Sequence, residues 1–411
     1  MTVTATEFAS RAAALDAADP LRDYPARFLG SDDPRIVAYL DGNSLGRPTR
    51  ATSERISAFL AQDWGHRLIR RWDEEWFDLP LTLGDRLGAA VLGAATGQTT
   101  IGDSTTVLLY KLARGALTLR PGRTEIVVDR GNFPTDRYVL ESIAADLGYT
   151  LRWLEPDLRA GVTAADLAEV VSERTALVAL SHVAYRSGYL LDSPAVATVT
   201  HDAGALLLLD LCHSAGSVEI ELDSWAVDFA VGCTYKYLNG GPGSPAFAYV
   251  AAAHLDEFVQ PIWGWMGRDA PFEMAQGYRP APGIRRVISG TPAILGMLPI
   301  QDTIDMIEEA GIRAIRAKSV ALTEFALDVV RSWLVPRGVT VSSPLDPARR
   351  GGHVTIDHPT FQGMLPRLWE RGVIPDFRGP AGLRLGPSPL STTFTELLAG
   401  LAVIRDEFAN P

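Results

Sequence analysis

The sequence predicts an α/β protein: a large, mainly parallel sheet domain with helices on both faces, plus a small C-terminal α/β domain. Three observations carry that expectation. From about residue 50 to 295, short apolar runs alternate with segments of helical spacing. The strand-like runs are apolar nearly throughout, as in strands buried on both faces. Beyond residue 295 the pattern changes to one long helical stretch and then a shorter alternation. The expected divisions are 1–50, an N-terminal segment packing with the small domain, 51–295, the large domain, and 296–411, the connecting helix and small domain.

The elements are read in chain order. "MTVTATEFASRAAALDAADP" reads as a short amphipathic helix and lacks the basic-then-apolar pattern of an export signal. "TEIVVD" (124–129), "TALVALSHV" (175–183), "ALLLLDL" (205–211), "FAVGC" (229–233) and "AFAYV" (246–250) read as buried strands. "PTDRYVLESIAADLG" (134–148) and "TAADLAEVVSE" (163–173) have helical spacing. Residues 296–335 read as one long helix with Pro299 near its start, where proline is tolerable. The small domain is expected to run strand "GGHVTIDH", helix "TFQGMLPRLWERG", strands near "VIPDF" and "GLRLGPS", then helix "FTELLAGLAVIRDEF".

Composition narrows the function. A net charge of −11 without a basic run argues against nucleic acid or anionic membrane as partner. No apolar stretch is long enough to span a bilayer. Two cysteines, Cys212 and Cys233, give neither a disulfide framework nor a zinc spacing, so no metal is expected and the default location is cytoplasmic.

Ligands on such sheets sit beyond the carboxyl ends of the strands, so residues just after each run matter most. Only three of the 38 basic residues are lysines, Lys111, Lys236 and Lys318. A lysine that survives this preference for arginine is a candidate for imine chemistry, which a guanidinium cannot do. Lys236 stands in "TYKYLNGGPGSP", after a predicted strand, whereas Lys111 and Lys318 lie inside helical segments. "GDSTTV" (102–107) opens a helix with hydroxyls and free N–H groups, suited to an anion; taken alone it is a plain N-cap. "NFPTD" (132–136) places an aromatic and an acid after a strand and is by itself a loop. "LLLLDLCHSAG" (206–216) buries Asp210 at a strand end, with His213 three residues on. A buried carboxylate needs a cationic partner, and a protonated pyridine nitrogen is one. Anion site, aromatic, buried acid and rare lysine together suit pyridoxal phosphate.

The chain resembles kynureninase, a fold-type-I pyridoxal phosphate enzyme. The matching stretches are "YLDGNSLGRP" (39–48), "WGHRLIRRW" (64–72), "GDSTTV", "NFPTD", "LDLCHSAG", "DFAVGCTYKYLNGGPGSPAF" (228–247), "GWMG" (264–267), "SGTPAILGM" (289–297) and "GLRLGPSPL" (382–390). The resemblance implies hydrolytic Cβ–Cγ cleavage of kynurenine or 3-hydroxykynurenine to L-alanine and anthranilate or 3-hydroxyanthranilate. It implies that Lys236 is the Schiff-base lysine, with Tyr235, Thr105 and Thr106 on the cofactor phosphate and Phe133 stacked on the ring. Pro134, Thr135, Asp136, Ser181, Asp210 and His213 complete the cofactor shell, Asp210 facing the pyridine nitrogen. Lys236, Tyr235 and Asp210 are the implied catalytic residues. Trp265 and Thr291 are implied to reach the site from the second subunit of a homodimer. Arg384 matches the arginine that grips the substrate α-carboxylate, although by its residue pattern alone it reads as a solvated charge on a strand edge. Ser44 and His66 fall where family members contact the kynurenine end.

The stretch "SHVAYRSGYLLD" (181–192) departs from the family, with Ala184, Tyr189 and Leu191 in place of polar, basic and histidine residues. Cys212 also stands where alanine is common. One such change alone reads as neutral drift; several together near a substrate loop leave the reaction class intact and open the choice of ring substituents, a ring-substituted kynurenine among them. Two rivals stay open. A cysteine desulfurase or selenocysteine lyase needs a mobile nucleophilic cysteine, whereas Cys212 and Cys233 lie in or beside predicted buried strands. A non-catalytic relative should have lost the lysine or its acid partner, and this chain keeps both.

Overall fold

The computed structural model describes residues 4–157 and 159–408. Among these residues thirteen strands follow in chain order. The first eight are β1 (Ala38–Tyr39), β2 (Thr99–Gly102), β3 (Glu125–Asp129), β4 (Thr150–Leu154), β5 (Thr175–Ser181), β6 (Leu206–Asp210), β7 (Phe229–Gly232) and β8 (Ala246–Val250). Then come β9 (Thr340–Val341), β10 (Val354–Asp357), β11 (Val373–Ile374), β12 (Asp376–Arg378) and β13 (Gly382–Leu385).

Seven strands form the large sheet in the order β2-β8-β7-β6-β5-β3-β4. Strands β3 to β7 pair in parallel, and β8 returns antiparallel beside β7 and β2. Parallel neighbours need a crossover, and helices Thr105–Thr118, Pro134–Leu147 and Ser193–Asp202 cover the faces. Strands β3, β5, β6, β7 and β8 are buried over almost their whole length, as their apolar runs require. The carboxyl ends of β3, β5, β6 and β7 therefore open on one side, and the chain's polar strand-end residues gather there.

The small sheet is antiparallel, β12-β13-β10-β9. Its core takes in Phe325, Trp333, Leu383 and Leu385, together with Phe8, Ala12, Ala38 and Leu40 from the N-terminal segment. The first helix, Ala5–Ala18, starts at a Thr4–Glu7 capping box and sets Phe8 edge-on to Trp333.

Four expectations differ. The stretch read as one helix from 296 to 335 is two, Ile294–Ala310 and Ile312–Trp333, broken at Gly311 with φ +78°. Pro299 lies inside the first of them. The helix read over 163–173 is one short element, Ala164–Ala168. Strands β2 and β4 had no expected counterpart: β2 is only four residues long, and β4 is an edge strand whose residues alternate between exposed and half-buried before Leu154. No helix among the described residues is long and apolar enough to cross a membrane.

Candidate active site

Asp210 ends β6 and pairs in register with Ser181, which ends β5. Asp136 reaches the same place from the first turn of helix Pro134–Leu147, whose N-cap is Phe133 and whose first residues are Pro134 and Thr135. Both carboxylates are buried, and they face each other. Burial, then the neighbouring Asp210, pushes the Asp136 carboxyl well above the usual range. Asn132 ties the strand ends together. Its Oδ1 accepts the Ser181 hydroxyl and the Phe133 N–H, each at 2.7 Å.

Lys236 follows β7 and is 8% exposed. Its Nζ lies 3.3–3.4 Å from the two ring nitrogens of His213 and 5.9 Å from the centre of the Phe133 ring. His213 is held well below its usual pKa by burial, then by Lys236 and Arg384, so it meets the lysine as a neutral ring. The other two lysines are spoken for: Lys111 pairs with Asp103, and Lys318 with Asp19 at 2.7 Å. Their burial in structural ion pairs separates them from Lys236.

The helix Thr105–Thr118 begins beside this group. Ser104 caps it, and the Thr105 and Thr106 N–H groups find no protein acceptor among the described residues. Asp103 turns the chain into it at φ +45°, a left-handed conformation that Asp tolerates. Cys212 Sγ lies 3.9 Å from Thr105 Oγ1. Tyr235 is half-buried nearby, its hydroxyl pushed up by burial first.

Arg384 arrives from β13 and is 1% exposed. The solvated-edge reading of its sequence pattern fails, because β13 is an inner strand of the small sheet, between β12 and β10, and the guanidinium ends against Tyr185 and His213. Its Nη2 donates to Ser44 Oγ at 2.8 Å and its Nη1 lies 3.5 Å from His213 Nε2. Ser44 is brought in by the "GNSLG" loop, which is seamed to both units. The Gly46 N–H donates to the Tyr235 carbonyl at 2.8 Å, and a Cβ at Gly46 would lie 2.1 Å from Asn239 Oδ1. A Cβ at Gly386 would lie 1.8 Å from Asn43 Oδ1, so both close approaches require glycine.

A kynureninase C-terminal domain family model matches residues 315–404. The kynureninase of Burkholderia pseudomallei (strain K96243) is 40% identical over 402 residues, 96% of this chain and 94% of its own. That of Pseudomonas fluorescens is 39% identical over 400 residues, covering 96% and 94%. The chain belongs to the kynureninase family. Among solved structures it is similar to an apo cysteine desulfurase from Thermococcus onnurineus NA1, with TM-score 0.77 and 19% identity over 91% of this chain and 95% of that one. It is also similar to a C-DES mutant with glycine covalently linked to its PLP cofactor, with TM-score 0.79 and 19% identity, covering 93% and 98%. At that identity the likeness concerns the fold, that of the fold-type-I PLP enzymes.

Residues of the kynureninase-like motifs thus meet as neighbours: Asp136 and Ser181 beside Asp210, Lys236 beside His213, Phe133 and Tyr235, Arg384 beside His213 and Ser44, and Cys212 beside Thr105. Three predicted residues stay apart within the chain. His66 lies exposed on the helical segment Phe59–Arg67. Trp265 is 40% exposed and packs edge-on to Phe272, and Thr291 is exposed as well. Neither makes a hydrogen bond to the Lys236 group among the described residues. Sequence reasoning missed Asn132, His353, whose ring is 5.9 Å from His213, and Asp376, which pairs with Arg384. Of these only Asn132 carried a signal, standing beside Phe133 in "NFPTD". The departing residues Tyr189 and Leu191 are buried in the apolar core. With Ala184 they also line a narrow cavity that reaches Asn132 and Ser181.

Proposed function

We propose that this chain is a pyridoxal phosphate-dependent kynureninase, hydrolysing L-kynurenine or 3-hydroxykynurenine at Cβ–Cγ to L-alanine and the corresponding anthranilate. The observation that carries the reading is the pair of buried carboxyls, Asp136 and Asp210, facing each other a short reach from a buried lysine. A buried acid whose proton is pushed up by burial and by a second acid beside it suits an added cation, and a pyridine N–H supplies it. The residues present therefore fit the cofactor.

Lys236 would hold its aldehyde, Asp210 and Asp136 its ring nitrogen, and Phe133 one face of its ring. Thr105 and Thr106 would hold its phosphate with their hydroxyls and the N–H groups of the helix end, where the helix dipole favours an anion. Tyr235 would add its hydroxyl. Ser181, His213, Pro134 and Thr135 would line the rest. When bound, the cofactor supplies an electron sink for the carbon from which a proton is taken.

The protein's own groups do the remainder. Lys236 has a neutral histidine as its hydrogen-bond neighbour and would move the α-proton. Arg384 meets the α-carboxylate with its planar fork, and Ser44 borders that contact. Tyr235 would return a proton to the alanine carbon. Residues 296–411 serve as the connecting helices and the small domain, which with the N-terminal segment carries Arg384 to the large one. Trp265 and Thr291 complete the site of a second copy, so the active unit is a homodimer; His66 belongs at the kynurenine end. A reducing, cytoplasmic setting accords with the two free thiols.

Both cysteines are buried at strand ends, which tells against desulfurase chemistry despite the shared fold. The narrow cavity beside Ser181 makes ring-substituted substrates worth including in the test. Purified holoenzyme is assayed against kynurenine, 3-hydroxykynurenine and ring-methylated analogues. Alanine release with an aryl product is expected. Sulfur release from cysteine with no alanine from any kynurenine overturns the reading.

A further inference from the structure

Every N–H of the buried Arg384 guanidinium has a partner, but the partners are of two kinds. Along one edge, Nε and Nη2 both reach Asp376 Oδ2 at 2.6 Å. At the other end, Nη2 donates to the Ser44 hydroxyl at 2.8 Å, and Nη1 donates to the Tyr185 carbonyl at 2.7 Å and lies 3.5 Å from His213. The first edge is an ion pair, and the second end is touched directly by neutral groups, with the buried Asp41 carboxyl standing behind Ser44.

The register explains the difference. Strand β12 pairs antiparallel with β13 so that Asp376 stands directly across from Arg384. Asp376 is itself fixed, since Arg378 Nε lies 3.1 Å from the same Oδ2. A carboxylate entering the site cannot cheaply displace a charge-assisted, partly buried pair. It can displace a serine hydroxyl and a long histidine contact. The end left for a ligand is therefore Nη1/Nη2, the end that faces His213 and, beyond it, Lys236.

We infer that Asp376 is a positioning residue: it closes the Nε edge of Arg384 and so holds the fork end-on to the substrate's α-carboxylate, with the adjoining amine directed at Lys236. The inference rests on the reading of Arg384 as the α-carboxylate grip. With Asp376 gone, the guanidinium can turn and offer its side edge, and the same substrate then sits misaligned over the lysine. The loss falls on substrates that carry the carboxylate and spares those that do not.

The test compares L-kynurenine with its α-carboxamide on holoenzyme, as the ratio of kcat/KM values. This ratio is independent of the fraction of folded enzyme. Wild type is expected to prefer the acid strongly, and Arg384→Lys to lose most of that preference. Asp376→Ala should lower the preference about ten- to a hundredfold, as a small misplacement does, through the acid's kcat/KM alone. Asp376→Asn keeps an acceptor opposite Nε and should fall in between. An unchanged preference in Asp376→Ala, with collapse in Arg384→Lys, overturns the role of Asp376 and leaves Arg384 standing. A wild type without preference, or an Arg384→Lys protein that keeps it, overturns the Arg384 reading and this inference with it.

Discussion

Two buried carboxylates on neighbouring strands of the large sheet, Asp210 at the end of β6 and Asp228 just before β7, have opposite surroundings. Asp228 is fully met by the protein. It accepts from His201 Nε2 at 2.8 Å, from His254 Nε2 at 2.6 Å and from the Leu207 N–H at 2.7 Å. Burial pushes its pKa up, but these hydrogen bonds win and hold it at about 2. Asp210 accepts the Cys212 N–H at 2.7 Å and otherwise faces Asp136, another acid. One carboxylate is charged and saturated; the other shares its pocket with a second acid whose proton is pushed up. A buried acid answered by histidines and an amide is a structural tie. A buried acid answered by an acid would, on the proposed reading, receive its cation from the cofactor's pyridine N–H.

The sharpest way to break this contrast is to remove the chemistry at the Asp210 end altogether. Lys236→Arg keeps the charge but cannot bond the cofactor aldehyde, so turnover should vanish while the fold persists. Borohydride treatment of wild type should fix cofactor on Lys236, and label on Lys111 or Lys318 would refute the assignment. Next, the two acids themselves should dissociate in their effects. Asp210→Asn should cost at least ~10²-fold in kcat, the scale of losing a preorganised charge, with little change in Tm. Asp228→Asn should do the reverse, costing about 3 kcal/mol of stability as a buried pair is broken, with kcat for the folded enzyme unchanged. Equal kcat losses in both variants would erase the distinction.

A smaller effect tests whether the Lys236 end is complete within one chain. Mixing Lys236→Ala with Trp265→Ala protein should restore up to about a quarter of wild-type activity, since half the dimers are mixed and each has one whole site. No rescue despite proven subunit exchange would put Trp265 outside the partner's site. The smallest effect concerns pH at the Asp228 end. The folded pKa of His201 is raised above its ordinary 6.5, first by its hydrogen bond to Asp228. Its contribution is whole below that value and is lost as pH rises through the folded one. The folded pKa of Asp228 is depressed from 3.8 to about 2, so its contribution is whole above 3.8 and is lost as pH falls through about 2. The Tm gap between wild type and Asp228→Asn should therefore be widest between these limits, near pH 4 to 6.5, and narrow on either side. A gap that is flat with pH would show that the pair does not titrate with folding.

The same two ends differ in how far they could be read in advance. Lys236, Asp210, Phe133 and Thr105 were legible because each stands just after an apolar run or opens a helix, where the topology alone puts ligands. The tie around Asp228 was invisible, since its partners come from a helix end, a strand and a short 3-10 helix that only folding assembles. Arg384 shows the limit most clearly. Its strand looked like an exposed edge, and what buries it is the packing of the small sheet and the "GNSLG" loop, neither of which a local pattern encodes. Asp376 was hidden for the same reason, because register across β12 and β13 is a tertiary fact. Lys318 read as part of an amphipathic helix, and its partner Asp19 lies in the N-terminal segment, far off in sequence. Where expectations of secondary structure failed, short or exposed elements were responsible, as at β2, β4 and the single turn after Thr163.

The seam at Gly46 and Gly386 has a practical consequence for anyone cutting this chain into parts. A fragment starting at residue 51 would keep the whole large sheet and Lys236, yet discard the backbone bond on Tyr235 and the hydroxyl on Arg384. The loop at 41–46 works as a rivet, and the two halves it joins are not interchangeable modules. Grafting a foreign small domain onto this sheet would succeed only if the graft carried its own matching N-terminal loop.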